Sequence, residues 1–168
     1  LMFLVEEWKK EEHVPFKGWD FSHIEKRTKV ENPPWDYMVM AKELVKNSNS
    51  LLEMGTGGGE LFASFAPFPE HTIATEGWEP NVQVAKQQLE PLGVTVVQVQ
   101  KDEGELPFRN EEFDTVLNRH EYFEALEVFR VLQKKGVFLT QQVGTDNLAD
   151  LVERFNGRTG YPTGTPNE

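Results

Sequence analysis

Apolar and polar positions alternate between two periods along most of this chain, and the alternation predicts its elements. Short apolar runs of strand length stand at Leu51–Met54, 71–76 (HTIATE), 94–100 (VTVVQVQ), 113–118 (FDTVLN) and 137–143 (VFLTQQV). Between them the apolar residues recur at helical spacing. Tyr37, Met40, Ala41 and Leu44 form one face behind the Pro33-Pro34 pair, which can open a helix. A short helix is predicted from Glu60 to about Phe65, and a longer one from Pro80 to Leu92 with Val82, Ala85 and Leu89 on one face. Ala125, Val128, Phe129 and Leu132 share a face that runs to Gly136, and Leu148, Leu151, Val152 and Phe155 define a last helix. Strands alternating with helices at this spacing predict βαβ units and a mostly parallel, doubly wound α/β sheet with both faces covered.

Two regions escape the pattern. Residues 1–34 are aromatic-rich and poorly periodic, with Trp8, Phe16, Trp19 and Phe21 among Pro15 and Gly18. They read as a short helix followed by an irregular arm or lid over residues 14–27, ahead of the main domain at 35–168. The tail from Gly157 has no periodicity.

Composition narrows the classes. At 168 residues the chain suits one domain with one sizeable core. The absence of cysteine removes disulfides, thiolate metal sites and thiol catalysis, and fits a cytoplasmic setting; no metal is expected. No apolar run nears membrane-spanning length. A net charge of −11 repels phosphate backbones, and Lys9-Lys10, Lys26-Arg27 and Lys134-Lys135 are isolated pairs, so neither nucleic acid nor membrane is an expected partner.

The chemistry is concentrated in LLEMGTGGGE, residues 51–60. Three glycines alternate at Gly55, Gly57 and Gly59 directly after the first strand, where a doubly wound sheet binds its ligand. A dinucleotide fingerprint counted from Gly55 needs its third glycine at position 60, and Glu60 stands there, opposing a pyrophosphate. A nicotinamide oxidoreductase is thereby disfavoured. The spacing acid-x-G-x-G-x-G is met in full by Glu53, Gly55, Gly57 and Gly59, and suits a cofactor whose positively charged amino-acid end needs acids and carbonyls.

That stretch resembles motif I of the class I S-adenosylmethionine-dependent methyltransferases, and later stretches agree in order over roughly residues 35–144. TIATEGWEPNVQVAKQQL is similar to motif II, which implies Glu76 as the acid for the ribose hydroxyls, with Trp78 placed to stack on the adenine. QKDEGELPF resembles the adenine segment, implying Asp102 at the exocyclic amine and the Glu103 main chain at the ring. EEFDTVLNRHE is similar to motif IV, with Asn118 beside the methionine portion. VFRVLQKKGVFLTQQV resembles the R-V-L-K-P-G-G-x-F segment, with Lys135 where that pattern favours glycine. The resemblance implies S-adenosylmethionine as cofactor and Glu53, Gly55, Thr56, Gly57, Gly59, Glu76, Trp78, Asp102, Glu103 and Asn118 as its binding set.

On the acceptor side, Arg119 is expected to grip a carboxylate or phosphate, and His120 to orient or deprotonate the acceptor; capping of the following helix, or pairing with Glu121 and Glu124, is the structural alternative. Trp19, His23, Tyr37 and Gln142 complete the expected acceptor pocket, and Gln141 is a weaker member. The [DN]-P-P-[YF] form of motif IV is missing, which disfavours amino methylation of nucleobases or glutamine and favours a small-molecule acceptor. The family's sheet has seven strands, whereas five are counted here, and Leu1 precedes the first methionine. A fragment, a homodimer through the bare edge of the fifth strand, or a cover from the segment after Gly144 is therefore expected. A cofactor-binding or interaction module without catalysis is the competing function.

Overall fold

The computed structural model describes residues 2–15, 22–29, 31, 33–99, 105–144 and 146–155. Five strands form one wholly parallel sheet in the order β3-β2-β1-β4-β5. They are β1 (Ser50–Met54), β2 (His71–Glu76), β3 (Thr95–Gln98), β4 (Phe113–Arg119) and β5 (Leu132–Gln141). Helices α1 (Met2–Glu12), α2 (Tyr37–Asn47), α3 (Glu60–Ala63), α4 (Glu79–Leu89), α5 (Ala125–Val131) and α6 (Ala149–Arg154) complete the described elements, with short 3-10 turns at Ser22–Arg27 and Glu90–Leu92.

The two-residue period of β1 divides the core. Leu51 packs with α2, α3 and α4 in one cluster that includes Ala41, Val45, Phe62, Val82 and Leu89. Leu52 and Met54 face the other side, where they join Phe113, Val116, Val128 and Val131. Each cluster removes apolar side chains from water at about 25 cal/mol per Å². The same alternation puts Glu53 on the face of Leu51, beneath α2. Asp36 caps α2 by accepting from the Val39 amide, at 3.1 Å.

The start of β5 is corrected by the structure. Periodicity carries α5 through Leu132 to Gly136, but the helix ends at Val131 and Leu132 already pairs with Phe113. The next partners are Thr115 and Val137, so five residues of β5 advance against two of β4. The surplus turns at Lys135, which takes φ +68, the left-handed region that the resemblance assigns to glycine. Gly136 follows because a Cβ there would lie 2.9 Å from the Asp114 carbonyl oxygen. Phe129 is a second correction: it shares a helical face with Val128 in the sequence pattern, yet is 80% exposed. Position on a stripe does not guarantee a cover.

Candidate functional site

The carboxyl ends of β1, β2 and β4 converge on the glycine turn. Gly55, Gly57 and Gly59 all have positive φ, at +69, +64 and +85. A Cβ on Gly55 would sit 2.5 Å from the Glu121 Cβ, so only glycine lets the β4–α5 loop fold down onto the turn. A Cβ on Gly59 would meet Leu89 at 2.8 Å, which explains the close approach of α3 and α4.

Glu76 braces this turn. One carboxylate oxygen accepts from the Gly57 amide and the other from the Trp78 amide, both at 2.7 Å. Each oxygen keeps a second lone pair, so acceptance from a diol remains open to it. Trp78 is the N-cap residue of α4 and leaves its indole half exposed beside that carboxylate.

Glu53 is the unusual group. It is buried, and its Oε2 has no hydrogen-bond partner. Burial pushes its carboxyl up to about 8, and the neighbouring Glu76 and Glu121 add to the rise. The Thr56 side chain works against that shift, although its hydroxyl does not meet hydrogen-bond geometry with any partner. Asn118 is likewise buried: its Oδ1 accepts from Gln142 Nε2 at 2.7 Å and from the Thr140 hydroxyl at 3.3 Å, whereas its Nδ2 is unpaired. An unmatched buried acceptor and an unmatched buried donor beside one turn are costly unless a ligand completes them. A zwitterionic amino-acid end supplies both complements, an ammonium and a carboxylate, so these residues fit the methionine portion of S-adenosylmethionine.

Arg119 follows from Leu117 by the strand period and projects toward α2, with its guanidinium carbon 6.0 Å from the centre of the Tyr37 ring. Its Nε donates to Gln141 Oε1 at 2.9 Å, not to Glu121 or Glu124. Burial raises the Tyr37 hydroxyl above its usual range, with Glu53 adding to the rise and Arg119 opposing it. His120 has φ +65 and its amide donates to the Gln141 carbonyl oxygen at 2.9 Å. Partial burial, then the Arg119 charge, push its imidazolium below the ordinary histidine range.

Tyr37, Glu53 and Arg119 thus meet on the α2 face of the sheet, whereas Asn118 and Gln142 pair at the strand ends beside the Glu121 carbonyl oxygen. His23 does not join them by any described contact; it lies exposed in the Ser22–Arg27 turn. Trp19, Phe21, Asp102 and Glu103 fall outside the described residues. A cleft of about 200 Å³ opens at the turn, with Gly55, Glu76, Val99, Leu106, Glu121 and Glu127 in its walls. Glu121 enters the sequence reading only as a salt-bridge partner. Its closeness to a required glycine could not be read from spacing, because the loop that brings them together is not periodic. No helix of the described residues is long and apolar enough to cross a membrane.

Comparison with known proteins agrees with this geometry. A family model described as a methyltransferase domain matches residues 52–140, from β1 to the end of β5. The YcgJ protein of Bacillus subtilis superposes with a TM-score of 0.57 at 22% identity, over 70% of this chain and 57% of that one. A SAM-dependent methyltransferase of Thermotoga maritima gives a TM-score of 0.52 at 21% identity, over 70% and 56%. The BH2331 protein of Bacillus halodurans C-125 gives 0.53 at 27% identity, over 70% and 58%. The chain therefore spans rather more than half the length of these solved relatives. Among curated proteins nothing matches. The matched span, the five-stranded parallel sheet and the acid-flanked glycine turn place the chain in the class I S-adenosylmethionine-dependent methyltransferase family, with S-adenosylmethionine as its cofactor.

Proposed function

We propose that this domain transfers the methyl group of S-adenosylmethionine to a small-molecule acceptor. The observation that carries the reading is the pair of unmatched buried atoms, Glu53 Oε2 and Asn118 Nδ2, flanking a turn whose glycines admit close approach. Glu76 and Trp78 at the end of β2 hold the ribose and cover the base, Gly55, Thr56, Gly57 and Gly59 pass beneath the chain, and Asp102 and Glu103 belong to the base-binding segment. The sulfonium supplies the electrophile and carries the hard chemistry. What remains to the protein is orientation and the exclusion of water.

His120 is held largely neutral at physiological pH by the same burial and Arg119 charge that lower its imidazolium, so its ring can accept a proton from an acceptor that arrives protonated. Arg119, fixed by Gln141 and lying over Tyr37, offers a positively charged anchor for an acceptor's anionic group. Tyr37 and Gln142 form the adjacent walls, and the arm bearing Trp19 and His23 is the proposed lid. Cytoplasmic residence and self-association through the β5 edge belong to the same proposal. A second reading, a non-catalytic interaction module, is favoured by one feature: Leu126 and Phe129 of α5 are 81% and 80% exposed beside that edge.

Melting in the presence of S-adenosylhomocysteine tests the first reading. The ligand is expected to raise the melting temperature, because it binds only the folded state, and NAD is expected to leave it unchanged. Glu76→Ala should abolish most of the shift, since charge-assisted hydrogen bonds of the kind it removes contribute about 1.5–3 kcal/mol each. Stabilisation by NAD alone, or an unchanged shift in Glu76→Ala, would refute the assignment. Methyl transfer from labelled cofactor into a metabolite extract separates enzyme from module.

A further inference from the structure

Arg130 of α5 divides its guanidinium between one loop and Glu127 of its own helix. Its Nη1 donates to the Phe108 carbonyl oxygen at 2.7 Å and to Asn110 Oδ1 at 3.1 Å, and its Nη2 donates to the Leu106 carbonyl oxygen at 2.8 Å. The remaining edge forms a two-toothed pair with Glu127, Nε to Oε1 at 2.8 Å and Nη2 to Oε2 at 2.7 Å. Glu127 Oε2 in turn accepts from the Leu106 amide at 2.8 Å. Even the Arg130 carbonyl oxygen is engaged, by the Glu111 amide at 2.8 Å. The segment 106–111 is therefore tied to the helix at four backbone atoms through one salt-bridged pair. The pair is largely withdrawn from solvent, unlike an exposed surface pair, so its geometry is held firmly.

What the tied segment does is set by where it stands. Leu106 and Glu127 both line the cleft above the glycine turn, with Val99 and Glu76 in the wall formed by β2 and the end of β3. Val99 is itself held by its amide donating to the Glu76 carbonyl oxygen at 3.1 Å. If Glu76 holds the ribose, the flat base beside it enters between Val99 and Leu106. The width of that slot then depends on how firmly Leu106 is kept in place. A guanidinium can do this because its donors sit on three nitrogens in one plane at fixed angles; an ammonium concentrates its donors on one atom and cannot reproduce the two-toothed pair with Glu127 while spanning the two carbonyls.

We infer that the Arg130–Glu127 pair is a positioning device for the nucleoside of the cofactor, acting through Leu106 to set the width and selectivity of the base slot. The inference rests on the proposed cofactor site. Arg130 does not line the cleft, and Glu127 reaches its wall, so the pair acts on the slot mainly through Leu106.

The test compares the wild-type chain with Arg130→Lys and Arg130→Ala. Calorimetry measures the affinity of each for S-adenosylhomocysteine and for S-inosylhomocysteine, which differs at the exocyclic position of the base. The melting temperature of the ligand-free proteins is recorded alongside. Arg130→Lys keeps the charge and is expected to stay folded. It should bind S-adenosylhomocysteine on the order of tenfold to a hundredfold more weakly, as displacement of a supporting residue does elsewhere. The preference for the adenosyl over the inosyl ligand should collapse in both variants, an effect that loss of folded protein alone would not produce. Wild-type affinity and preference in Arg130→Lys would overturn the inference. So would equal losses for both ligands that simply follow a fall in melting temperature. A wild-type chain that binds neither ligand would instead remove the cofactor site, and the inference with it.

Discussion

A buried carboxyl whose Oε2 lacks a donor is costly to keep charged, and that cost depends on pH. Glu53 titrates near 8 in the fold against 4.5 for the free side chain, so between those values the folded chain holds a proton that the unfolded chain releases. Stability therefore falls as pH rises through that window, by up to about 1.4 kcal/mol for each pH unit. Glu53→Gln is expected to flatten the decline and to melt higher than wild type at pH 8, while differing little near pH 5. Parallel melting curves for the two proteins across pH 5–8 would contradict the burial of that charge. The three alternating glycines were legible in the sequence, because a chain seldom bears the entropic cost of so much glycine after an apolar run unless something must approach its backbone, with Glu53 marked by its spacing to them and Glu76 only by the family resemblance. Glu127 and Arg130 were not. Polar residues on a helix read as a solvated face, and nothing in their spacing says that a loop twenty residues upstream lies against them.

The elements show the same division. The five strands, their parallel sense and the switch beside β1 follow from strand-length apolar runs separated by helical stretches. The α5–β5 junction does not, because Leu132 fits the helical stripe as well as it fits a strand, and only pairing with Phe113 decides. Lys135 is where that decision leaves a mark. A side chain at φ +68 carries a backbone penalty that glycine lacks, about 1–2 kcal/mol. Lys135→Gly is thus expected to stabilise the chain by about 1 kcal/mol, after glycine's own entropic cost, as read from the midpoint of urea unfolding. No gain, or a loss, would mean that the lysine serves in another way, as a charge that keeps the open edge of β5 from pairing with other strands.

At the scale of the molecule, many large apolar side chains among the described residues stay exposed. Leu126 and Phe129 of α5, Val137 and Val143 along β5 and beyond it, and Leu151 and Phe155 of α6 are all well exposed, and so are Val39 and Met40 of α2, although the cluster beneath that helix is closed. The exposure along β5 and α5 agrees with five strands among the described residues where the resemblance leads one to expect seven. The pattern of apolar positions marks which residues prefer burial; it carries no information on what would bury them.

The carboxylates around the cleft have a further consequence, for turnover. In the proposed reaction the cofactor would enter carrying a sulfonium and leave, after giving up its methyl group, as a neutral thioether. Glu76, Glu105, Glu121 and Glu124 line a cavity in a chain of net charge −11, so the electrostatic attraction that draws the reactant inward disappears at the moment of transfer. Under the proposed reaction, such a cavity would favour release of its own product. Added salt should accordingly weaken S-adenosylmethionine far more than S-adenosylhomocysteine, because screening acts on the charge that only the first retains. Equal salt slopes for the two in parallel titrations would mean that the acidic rim plays no part in product release.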